Sequence, residues 1–290
     1  MLGVDPLRGI VMCTDCGCQI RGQRHTLAKP SKVKEMFLGP PERVLQGLLQ
    51  KNDQQANLNR QRFDRHGVLV INLMSSPGSG KTALLEATLK ILKGELRMAV
   101  IEGDLETEND AERIRALGVT AYQITTGTAC HLDAHLVAQA LDHLPLEDLD
   151  VLFIENVGNL VCPASFDLGH HLNVTLLSVT EGDDKPQKYP VMFRAADLLL
   201  ITKTDLLPYL PEFSMEKARA SQRALATKAK LIALSAKTSE GLSSWTDWMK
   251  FQCAGYHSLL EKGLSLKPRV AEEGKALHLD RPEIIFKPVA

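Results

Sequence analysis

Short apolar runs alternate with amphipathic segments from Val68 onward, and this alternation is the strongest pattern in the chain. The apolar runs are continuous, which is typical of parallel strands buried on both faces. We therefore predict strands at residues 68–74, 98–103, 121–124, 151–156, 174–179, 197–202 and 231–234. Helices are predicted at residues 81–92, 110–117, 131–143, 214–229 and 241–252. This order of elements predicts an α/β fold in which helices flank a mostly parallel sheet.

The two ends of the chain have a different pattern. Residues 1–42 combine a cysteine cluster with a basic, proline-containing stretch, and we interpret them as a flexible N-terminal arm. Residues 43–254 are expected to form one domain, which begins with a helix at 42–65. Residues 255–290 lose the periodicity and contain three prolines, so we expect a C-terminal tail with the composition of a disordered segment.

Composition and charge exclude several classes of protein. The chain has 290 residues, 44% hydrophobic and 24% charged, as is usual for a soluble globular protein. With 34 Lys and Arg against 35 Asp and Glu, nothing in the charge indicates binding to nucleic acid or to an anionic membrane. Neither a transmembrane run nor a signal peptide is visible. We therefore expect a cytoplasmic protein, whose thiols stay reduced.

A glycine-rich turn joins strand 68–74 to helix 81–92. Its small residues allow backbone N–H groups to approach phosphate oxygens, while Lys81 would reach the β- and γ-phosphates and Thr82 would bind Mg²⁺. The strict phosphate-loop motif has glycine where this chain has Ser75, so the backbone there must accommodate a Cβ atom. We expect the phosphates of a nucleotide to contact Pro77, Gly78, Ser79, Gly80, Lys81 and Thr82.

Acidic residues follow two of the predicted strands. Asp104 follows strand 98–103, and Glu155 lies at the end of strand 151–156. In phosphate-loop enzymes such acids bind Mg²⁺, directly or through water, and position the attacking water. We predict that Asp104 and Glu155 act with Thr82 at Mg²⁺, that Lys81, Asp104 and Glu155 are catalytic, and that Gly158 contacts the γ-phosphate. The alternative is that these acids cap helices or lie in solvated loops.

Two later segments indicate that the base is guanine. A carboxylate at Asp205 can accept two hydrogen bonds from guanine, and adenine offers no such pair of donors. Lys203 can lay its methylene groups along the base, and Thr202 replaces the Asn of the usual N-K-x-D motif. Ser235, Ala236 and Lys237 match the loop that contacts the base in GTPases. We therefore predict that GTP binds Lys203, Asp205, Ser235, Ala236 and Lys237.

A dinucleotide site is the alternative for the same turn. Residues 78–83 also fit the pattern G-x-G-x-x-[GA], and Glu102 and Asp104 lie where an acid that binds ribose would be expected. The protein would then be an NAD-binding oxidoreductase. The guanine-type segments disfavour this alternative, because a dehydrogenase has no need of them.

Three cysteines near the start form a C-x-x-C-x-C cluster of Cys13, Cys16 and Cys18. Three soft thiolates this close can converge on one ion, in a square plane around nickel or a tetrahedron around zinc. The alternative is a redox C-x-x-C pair, which normally begins a helix after a strand. No strand is predicted before this cluster, so we favour metal binding.

A second possible metal site consists of Cys130, His131 and Cys162. These three ligands are one short of a closed tetrahedral site, which a second copy of the chain could complete. Cys162 lies four residues beyond Gly158, so its metal affinity would depend on the state of the nucleotide. The alternative is a pair of inert buried cysteines and a surface histidine.

Two other histidines and one other cysteine are predicted to have no role in metal binding. His170 and His171 are interpreted as a solvated pair in a loop. Cys253 is expected to pack at the end of an amphipathic helix with Trp245 and Trp248.

Taken together, these segments closely resemble the HypB family of GTPases, which insert nickel during hydrogenase maturation. The similarity covers residues 12–254 and is most specific at residues 153–169. Other matching segments are at residues 13–18, 75–82, 102–104, 130–134, 178–182, 185–186, 189–190 and 205–210. The family's cysteine motif usually follows the initiator methionine directly, whereas eleven residues precede Met12 here, so either Met1 or Met12 is the start.

The resemblance implies a switch-type enzyme that hydrolyses GTP slowly and dimerises when GTP is bound. It implies that the protein acts together with a HypA-type metallochaperone and delivers Ni²⁺ to the large subunit of [NiFe]-hydrogenase. It also implies that Cys13, Cys16 and Cys18 form an N-terminal nickel site, and that Cys130, His131 and Cys162 bind Ni²⁺ or Zn²⁺ near the dimer interface. Besides the oxidoreductase, a metal-binding protein without enzymatic activity is the remaining alternative.

Overall fold

The computed structural model describes residues 41–104, 108–127, 129–225, 229–268 and 284–285. Its helices are α1 (Pro41–His66), α2 (Lys81–Leu92), α3 (Asn109–Arg115), α4 (Ala134–Leu141), α5 (Lys185–Lys188), α6 (Pro190–Ala195), α7 (Met215–Leu225) and α8 (Leu242–Leu260). Its strands are β1 (Leu69–Met74), β2 (Met98–Asp104), β3 (Thr120–Thr125), β4 (Val151–Glu155), β5 (Leu172–Ser178), β6 (Leu198–Thr202), β7 (Lys230–Ala233), β8 (Leu264–Ser265) and β9 (Ile284–Ile285). Short 3₁₀ helices are present at Leu146–Asp148, Cys162–Ser165, Val179–Glu181 and Thr204–Tyr209.

Seven strands form one sheet in the order β3-β2-β4-β1-β5-β6-β7, and β8 pairs with β9 separately. Every neighbouring pair in the large sheet is parallel, whereas β8 and β9 are antiparallel. The prediction of a mostly parallel sheet flanked by helices is confirmed. In such open sheets ligands bind outside the carboxyl ends of the strands, and β1 lies in the middle with β4 and β5 beside it.

The central strands are apolar along their whole length because both faces of the sheet are covered. Every residue of β1, β4, β5 and β6 is buried. One face packs against α2, α3 and α8, where Trp245 is fully buried and donates a hydrogen bond from Nε1 to Thr88. The other face packs against α1 and α4 beside β1 and β4, and against α6 and α7 beside β5 and β6. Each fully buried aliphatic or aromatic side chain contributes roughly 1.5–3 kcal/mol to this packing.

Every strand and helix predicted between residues 42 and 252 is present. The helix predicted at 131–143 begins only at Ala134, because Asp133 caps it by accepting a hydrogen bond from the backbone of Leu136. The structure adds α5 and α6, which were not predicted. Each is short and has a proline in its first turn, so neither leaves a clear periodic pattern in the sequence.

The last helix extends past its predicted end at residue 252. It continues to Leu260 and therefore includes residues 255–260, which were assigned to the tail from the sequence. Tyr256 explains the extension: it is fully buried and donates a hydrogen bond to Asp64 on α1, with 2.7 Å between the oxygens. Ser265 in β8 donates to the same carboxylate oxygen.

The interpretation of His170 and His171 as a solvated pair is wrong. Both side chains are almost completely buried just before β5. His171 accepts a hydrogen bond at Nδ1 from the backbone of Val70, and its Nε2 lies 3.2 Å from Asp64 Oδ1. Burial is possible because every ring nitrogen has a partner in the protein.

Part of the predicted organisation lies outside the described residues. Cys13, Cys16 and Cys18 belong to this part, together with nearly all of the predicted arm and residues 269–283 and 286–290 of the predicted tail. Among the helices that the structure describes, none is long and apolar enough to cross a membrane.

Candidate functional site

The turn at residues 75–80 connects β1 to α2, as predicted, at the carboxyl edge of the sheet, and Lys81 and Thr82 are the first two residues of α2. Gly78 and Gly80 have φ angles of 75° and 92°, a region that side chains other than glycine rarely adopt. Gly80 is the N-cap residue of α2, so the positive end of the helix dipole faces the turn. This combination of backbone shape and helix terminus is a ready anion-binding site.

Ser75, which replaces the glycine of the strict motif, is accommodated without exposure to solvent. Its side chain is fully buried, and its hydroxyl accepts a hydrogen bond from Lys81 Nζ at 3.1 Å. Lys81 Nζ also lies 3.9 Å from Glu155 Oε1. The departure from the motif therefore gives Lys81 an extra partner that holds its ammonium group inside the turn.

Acidic side chains converge beside the turn. Thr82 donates a hydrogen bond to Glu155 Oε1 at 3.0 Å. Glu102, Asp110 and Glu155 each place a carboxylate oxygen within 4.8 Å of the others. Burial, reinforced by the charge of Glu155, raises the pKa of Glu102 to about 11, so Glu102 is protonated at neutral pH. Burial likewise raises the pKa of Glu155, against the nearby charge of Lys81.

This acidic cluster has the chemistry of a divalent-cation site. Glu102 Oε2 and Glu155 Oε2 are buried and have no hydrogen-bond partner among the described residues. Oxygen donors that are buried and unsatisfied suit a hard cation such as Mg²⁺, which would displace the proton that Glu102 retains. The residues present therefore fit Mg²⁺.

We predicted from the sequence that Thr82, Asp104 and Glu155 bind Mg²⁺. The structure brings Thr82 and Glu155 into direct contact. Asp104 lines the same cavity but is not part of the cluster of carboxylates within 4.8 Å. Glu102 and Asp110 were not assigned to it. The strand period could have indicated Glu102, since it lies two residues before Asp104 and on the same side of β2.

A cavity of about 380 Å³ lies over the turn, and Lys81, Thr82, Asp104, Glu155 and Gly158 are among its lining residues. Gly158 packs against Pro77 of the turn. A Cβ atom on Gly158 would lie 2.9 Å from the Cα and N atoms of Pro77, so no larger residue fits there without a shift of backbone. The segment after β4 is thus in direct contact with the turn that would hold the phosphates.

A second cavity, of about 260 Å³, adjoins the first, and Gly80, Ala83 and Lys203 line both. Its wall contains the predicted base-binding residues Lys203, Asp205, Ser235, Ala236 and Lys237. Ser235 donates a hydrogen bond to Asp205 at 2.7 Å. The structure therefore brings both predicted base-binding segments to one place, next to the phosphate cavity.

Side chains at or just beyond the carboxyl ends of β6 and β5 hold the turn in place. Thr202 at the end of β6 donates a hydrogen bond to the Ser79 carbonyl at 2.7 Å, and Lys203 Nζ donates to the Gly78 carbonyl at the same distance. Ser79 in turn donates from its hydroxyl to Glu181, a contact that the sequence patterns did not predict. Thr202, although it is not the usual Asn, connects the base-binding strand to the turn.

The second predicted metal site brings together Cys130 and His131, which precede α4, and Cys162, which lies between β4 and β5. The two sulfur atoms are 3.1 Å apart, and Cys130 Sγ lies 3.7 Å from His131 Nδ1. Two sulfurs on one ion stand about 3.3 Å apart at a right angle and about 3.8 Å apart in a tetrahedron, given bonds of about 2.3 Å. A small side-chain rotation would therefore allow both sulfurs to bind the same ion.

His131 is buried, so it is not the surface histidine that the alternative to a metal site requires. It is 7% exposed and its ring stacks on Phe166 with 3.8 Å between ring centroids. Burial lowers the pKa of His131, against the charge of Asp133, so the imidazole is neutral at neutral pH. A neutral imidazole beside two thiols is a suitable donor set for a borderline or soft ion such as Ni²⁺ or Zn²⁺.

Comparison with known proteins identifies relatives of the chain. The model of the CobW/HypB/UreG nucleotide-binding domain matches residues 69–233. The hydrogenase maturation factor HypB of Escherichia coli (strain K12) is 55% identical over 208 residues, which cover 71% of this chain and 71% of that protein. HypB of Azotobacter vinelandii is 50% identical over 238 residues, 81% of this chain and 75% of that protein. The crystal structure of HypB from Helicobacter pylori in complex with nickel is 42% identical, with a TM-score of 0.68, over 71% of this chain and 96% of that chain.

Proposed function

The chain belongs to the HypB proteins of the CobW/HypB/UreG family, and on that premise we propose that it is a GTP-hydrolysing nickel metallochaperone. It would insert Ni²⁺ into the large subunit of [NiFe]-hydrogenase during maturation. The observation that carries this proposal is the short distance along the chain from Gly158, which touches the phosphate turn, to Cys162, which lies against Cys130.

GTP would be held by two groups of residues in the adjoining cavities. Pro77, Gly78, Ser79, Gly80, Lys81, Thr82 and Gly158 would contact the phosphates, and Lys203, Asp205, Ser235, Ala236 and Lys237 would contact the base. The hydrogen bond between Ser235 and Asp205 supports guanine, because it orients a carboxylate acceptor in the wall of the second cavity. A dinucleotide site would not require this carboxylate.

Hydrolysis would depend on the residues around the phosphate turn. Lys81 would bind the β- and γ-phosphate oxygens and stabilise the charge that develops during transfer. Thr82, Asp104 and Glu155 would hold Mg²⁺, which supplies further neutralisation of phosphate charge when bound. Glu102 and Asp110 complete the acidic wall. We expect slow hydrolysis, as in a molecular switch, with Lys81, Asp104 and Glu155 as the catalytic residues.

The transported ion would occupy the site formed by Cys130, His131 and Cys162. These residues supply two sulfur ligands and one nitrogen ligand, which leaves a position for a fourth ligand from a second copy of the chain or from a partner. Ni²⁺ is the proposed cargo, and Zn²⁺ fits the same donor set. Cys13, Cys16 and Cys18, which lie outside the described residues, would form a separate nickel site in the N-terminal arm.

The two sites would work as one switch. A γ-phosphate that binds the Gly158 amide would hold the segment after β4, and hydrolysis would release it together with Cys162. The GTP-bound form would be a homodimer in the cytoplasm, supplied by a HypA-type metallochaperone. These expectations come from the family and from the shared segment.

The proposal is tested by the metal content of purified protein bound to GDP or to a non-hydrolysable GTP analogue, each with Mg²⁺. We expect a different nickel affinity and a different molecular mass in the two forms. Protein that binds nickel but no guanine nucleotide would instead favour a metal-binding protein without GTPase activity. In a thermal shift assay GTP should stabilise the fold by about 2.7 kcal/mol at 100 times its Kd, and NAD should not.

A further inference from the structure

A stripe of asparagine side chains crosses the sheet on the face that α1 and α4 cover. It consists of Asn156 after β4, Asn72 in β1 and Asn173 in β5, and each residue is at most 2% exposed. Asn72 alternates with Ile71 and Leu73, which face the opposite core. Burying an amide is unfavourable unless its hydrogen bonds are replaced, so three amides side by side need an explanation.

The explanation is a continuous series of hydrogen bonds. Asn156 Nδ2 donates to Asn72 Oδ1 at 3.1 Å, and Asn72 Nδ2 donates to Asn173 Oδ1 at 3.0 Å. His170 Nε2 lies 2.7 Å from the same Asn173 oxygen, and the backbone of Leu168 donates to His170 Nδ1. Because an amide oxygen can only accept, Nε2 must carry the hydrogen. Every amide orientation and the tautomer of the histidine are therefore determined.

The first residue of the stripe connects two segments of the functional site. Asn156 Oδ1 accepts one hydrogen bond from the backbone of Leu132 at 3.3 Å and another from the backbone of Val157 at 3.0 Å. Leu132 directly follows His131 of the metal site, and Val157 directly precedes Gly158, which touches the phosphate turn. A single oxygen thus holds one N–H group from each segment.

The rest of the stripe keeps this oxygen in place. If the Asn156 amide turned over, its NH₂ group would face the N–H groups of Leu132 and Val157, and its oxygen would face the oxygen of Asn72. Both interactions would be repulsive. The Asn156 backbone N–H also donates to the Leu73 carbonyl at 3.0 Å, which fixes the position of the residue beside β1.

We propose that Asn156 is a positioning residue that couples occupancy of the metal site to the state of the bound nucleotide. A nucleotide that moves Val157 changes the hydrogen bond from the Val157 backbone to Asn156 Oδ1. The same oxygen accepts from the Leu132 backbone, so Leu132 moves as well, next to the metal ligands. The reverse effect, of metal on nucleotide, has the same magnitude. This inference rests on the proposed function, since it needs both ligands to bind.

Asn59 on α1 offers a matched control. It is fully buried, and its Nδ2 donates to the carbonyls of Ala134 at 2.8 Å and Leu168 at 3.1 Å. It therefore contacts the segment after Cys130 and His131 without a hydrogen bond to Asn156, Val157 or Gly158. Its loss should alter the metal site equally in both nucleotide forms, whereas a change at Asn156 should alter the difference between the forms.

The experiment measures the Kd of Ni²⁺ for full-length protein in which Cys13, Cys16 and Cys18 are replaced by serine, saturated with Mg²⁺–GDP or with Mg²⁺ and guanosine 5′-[β,γ-imido]triphosphate. In the wild type we expect the two values to differ by a factor of about 5 to 150. In Asn156→Ala the factor should fall towards 1 by about two-fold or more, and the coupling carried directly by the segment from Gly158 to Cys162 should remain. Asn156→Asp keeps an acceptor for both N–H groups but places its second oxygen against Asn72 Oδ1, so its factor should lie between those of the wild type and the alanine variant. Asn59→Ala should leave the factor unchanged.

Asn156→Ser decides the matter if the alanine variant does not fold, because a hydroxyl on so short a side chain cannot bridge both N–H groups. Alanine or serine variants that bind both ligands and keep the wild-type factor would overturn the role of Asn156 and leave the proposed function intact. A wild type whose nickel affinity is the same in both forms would refute the proposed switch itself, and this inference with it.

Discussion

Ser235 donates its hydroxyl hydrogen to Asp205, with 2.7 Å between Oγ and Oδ1. The two residues come from different elements, since Asp205 lies in the first turn of the 3₁₀ helix after β6 and Ser235 follows β7. The bond orients the Asp205 carboxylate in the wall of the cavity proposed for the base. The preference for guanine should therefore depend on Asp205 directly and on Ser235 through it.

Asp205→Asn should change the preference of the site from guanine to xanthine nucleotides. The variant replaces an acceptor with an N–H donor, which opposes the N–H groups of guanine and matches the additional carbonyl of xanthine. The affinity for GTP should fall on the order of 10- to 100-fold, as expected when a hydrogen bond to a charged group is lost. Competition of GTP and xanthosine triphosphate against a fluorescent guanine nucleotide measures both affinities.

Ser235→Ala is the control for Asp205→Asn. It removes the residue that orients the carboxylate but leaves both carboxylate oxygens, so GTP should bind more weakly without any gain for xanthosine triphosphate. Undiminished selectivity for GTP in Asp205→Asn would contradict the proposed role of Asp205.

The parts of the fold that the sequence predicts best are those in which local pattern and tertiary packing agree. The helix predicted at 81–92 is α2 at the same residues, because a glycine turn starts it and its apolar positions face the sheet. The extension of α8 to Leu260 was missed because it depends on Tyr256 reaching Asp64, which lies 192 residues away along the chain. A contact between residues so far apart in the chain leaves no trace in the local pattern of apolar and polar residues.

The same distinction holds for the candidate site. Lys81, Thr82 and Glu155 were identified because each belongs to a short motif whose chemistry depends on spacing. Asp110 was not assigned to the acidic cluster because it comes from α3, a different element from Glu102 and Glu155. His170 and His171 looked solvated because histidines beside a loop are usually polar surface residues. Their burial follows from partners on α1, β1 and β5.

Lys81→Ala should abolish nucleotide binding while the metal sites keep their affinity in the absence of nucleotide. Lys81 is 8% exposed, is held by Ser75 and Glu155, and lies in the wall of the phosphate cavity. Its removal takes away the positive charge nearest the proposed phosphates. Titration with a fluorescent GTP analogue measures nucleotide binding, and titration with Ni²⁺ measures metal binding.

Lys90→Ala is the matched control, because Lys90 is exposed in the last turn of the same helix and does not line the cavity. It should bind GTP as the wild type does. If Lys81→Ala still binds GTP with wild-type affinity, the phosphates do not lie where we place them.

Cys162→Ser should weaken metal binding at the site of Cys130 and His131. A serine hydroxyl is a harder and much less acidic ligand than a thiol, so the ion loses one of two sulfur donors. In a chain in which Cys13, Cys16 and Cys18 are also replaced by serine, absorption from sulfur-to-nickel charge transfer should fall and the Kd for Ni²⁺ should rise.

Cys253→Ser in the same background tests whether the effect is specific. Cys253 is part of α8, is 5% exposed and faces the core on the opposite side of the sheet. Its replacement should therefore lower stability without a change in nickel affinity. Equal nickel affinities in the Cys162 and Cys253 variants would show that Cys162 is not a ligand.

Acidification below pH 6.5 should destabilise the fold through His170. Burial, together with the charge of Arg60 and against that of Asp167, lowers the pKa of His170 from 6.5 to about 4. Between these values the unfolded chain binds a proton that the folded chain excludes, so stability is complete above pH 6.5 and is lost as the pH falls towards 4. The loss attributable to His170 is at most about 3.5 kcal/mol, from about 1.4 kcal/mol per pKa unit.

Urea unfolding at pH 7 and pH 5 measures this loss, and His170→Gln should reduce it. The glutamine amide can still donate a hydrogen bond to Asn173, as His170 Nε2 does, but it does not titrate. His171 retains part of the pH dependence in this variant, because burial lowers its pKa as well. His66→Gln, at an exposed position in the last turn of α1, should keep the full wild-type dependence. If His170→Gln loses as much stability between pH 7 and pH 5 as the wild type, the imidazole is not held neutral in the folded protein, and its Nδ1 does not accept the hydrogen bond from the backbone of Leu168.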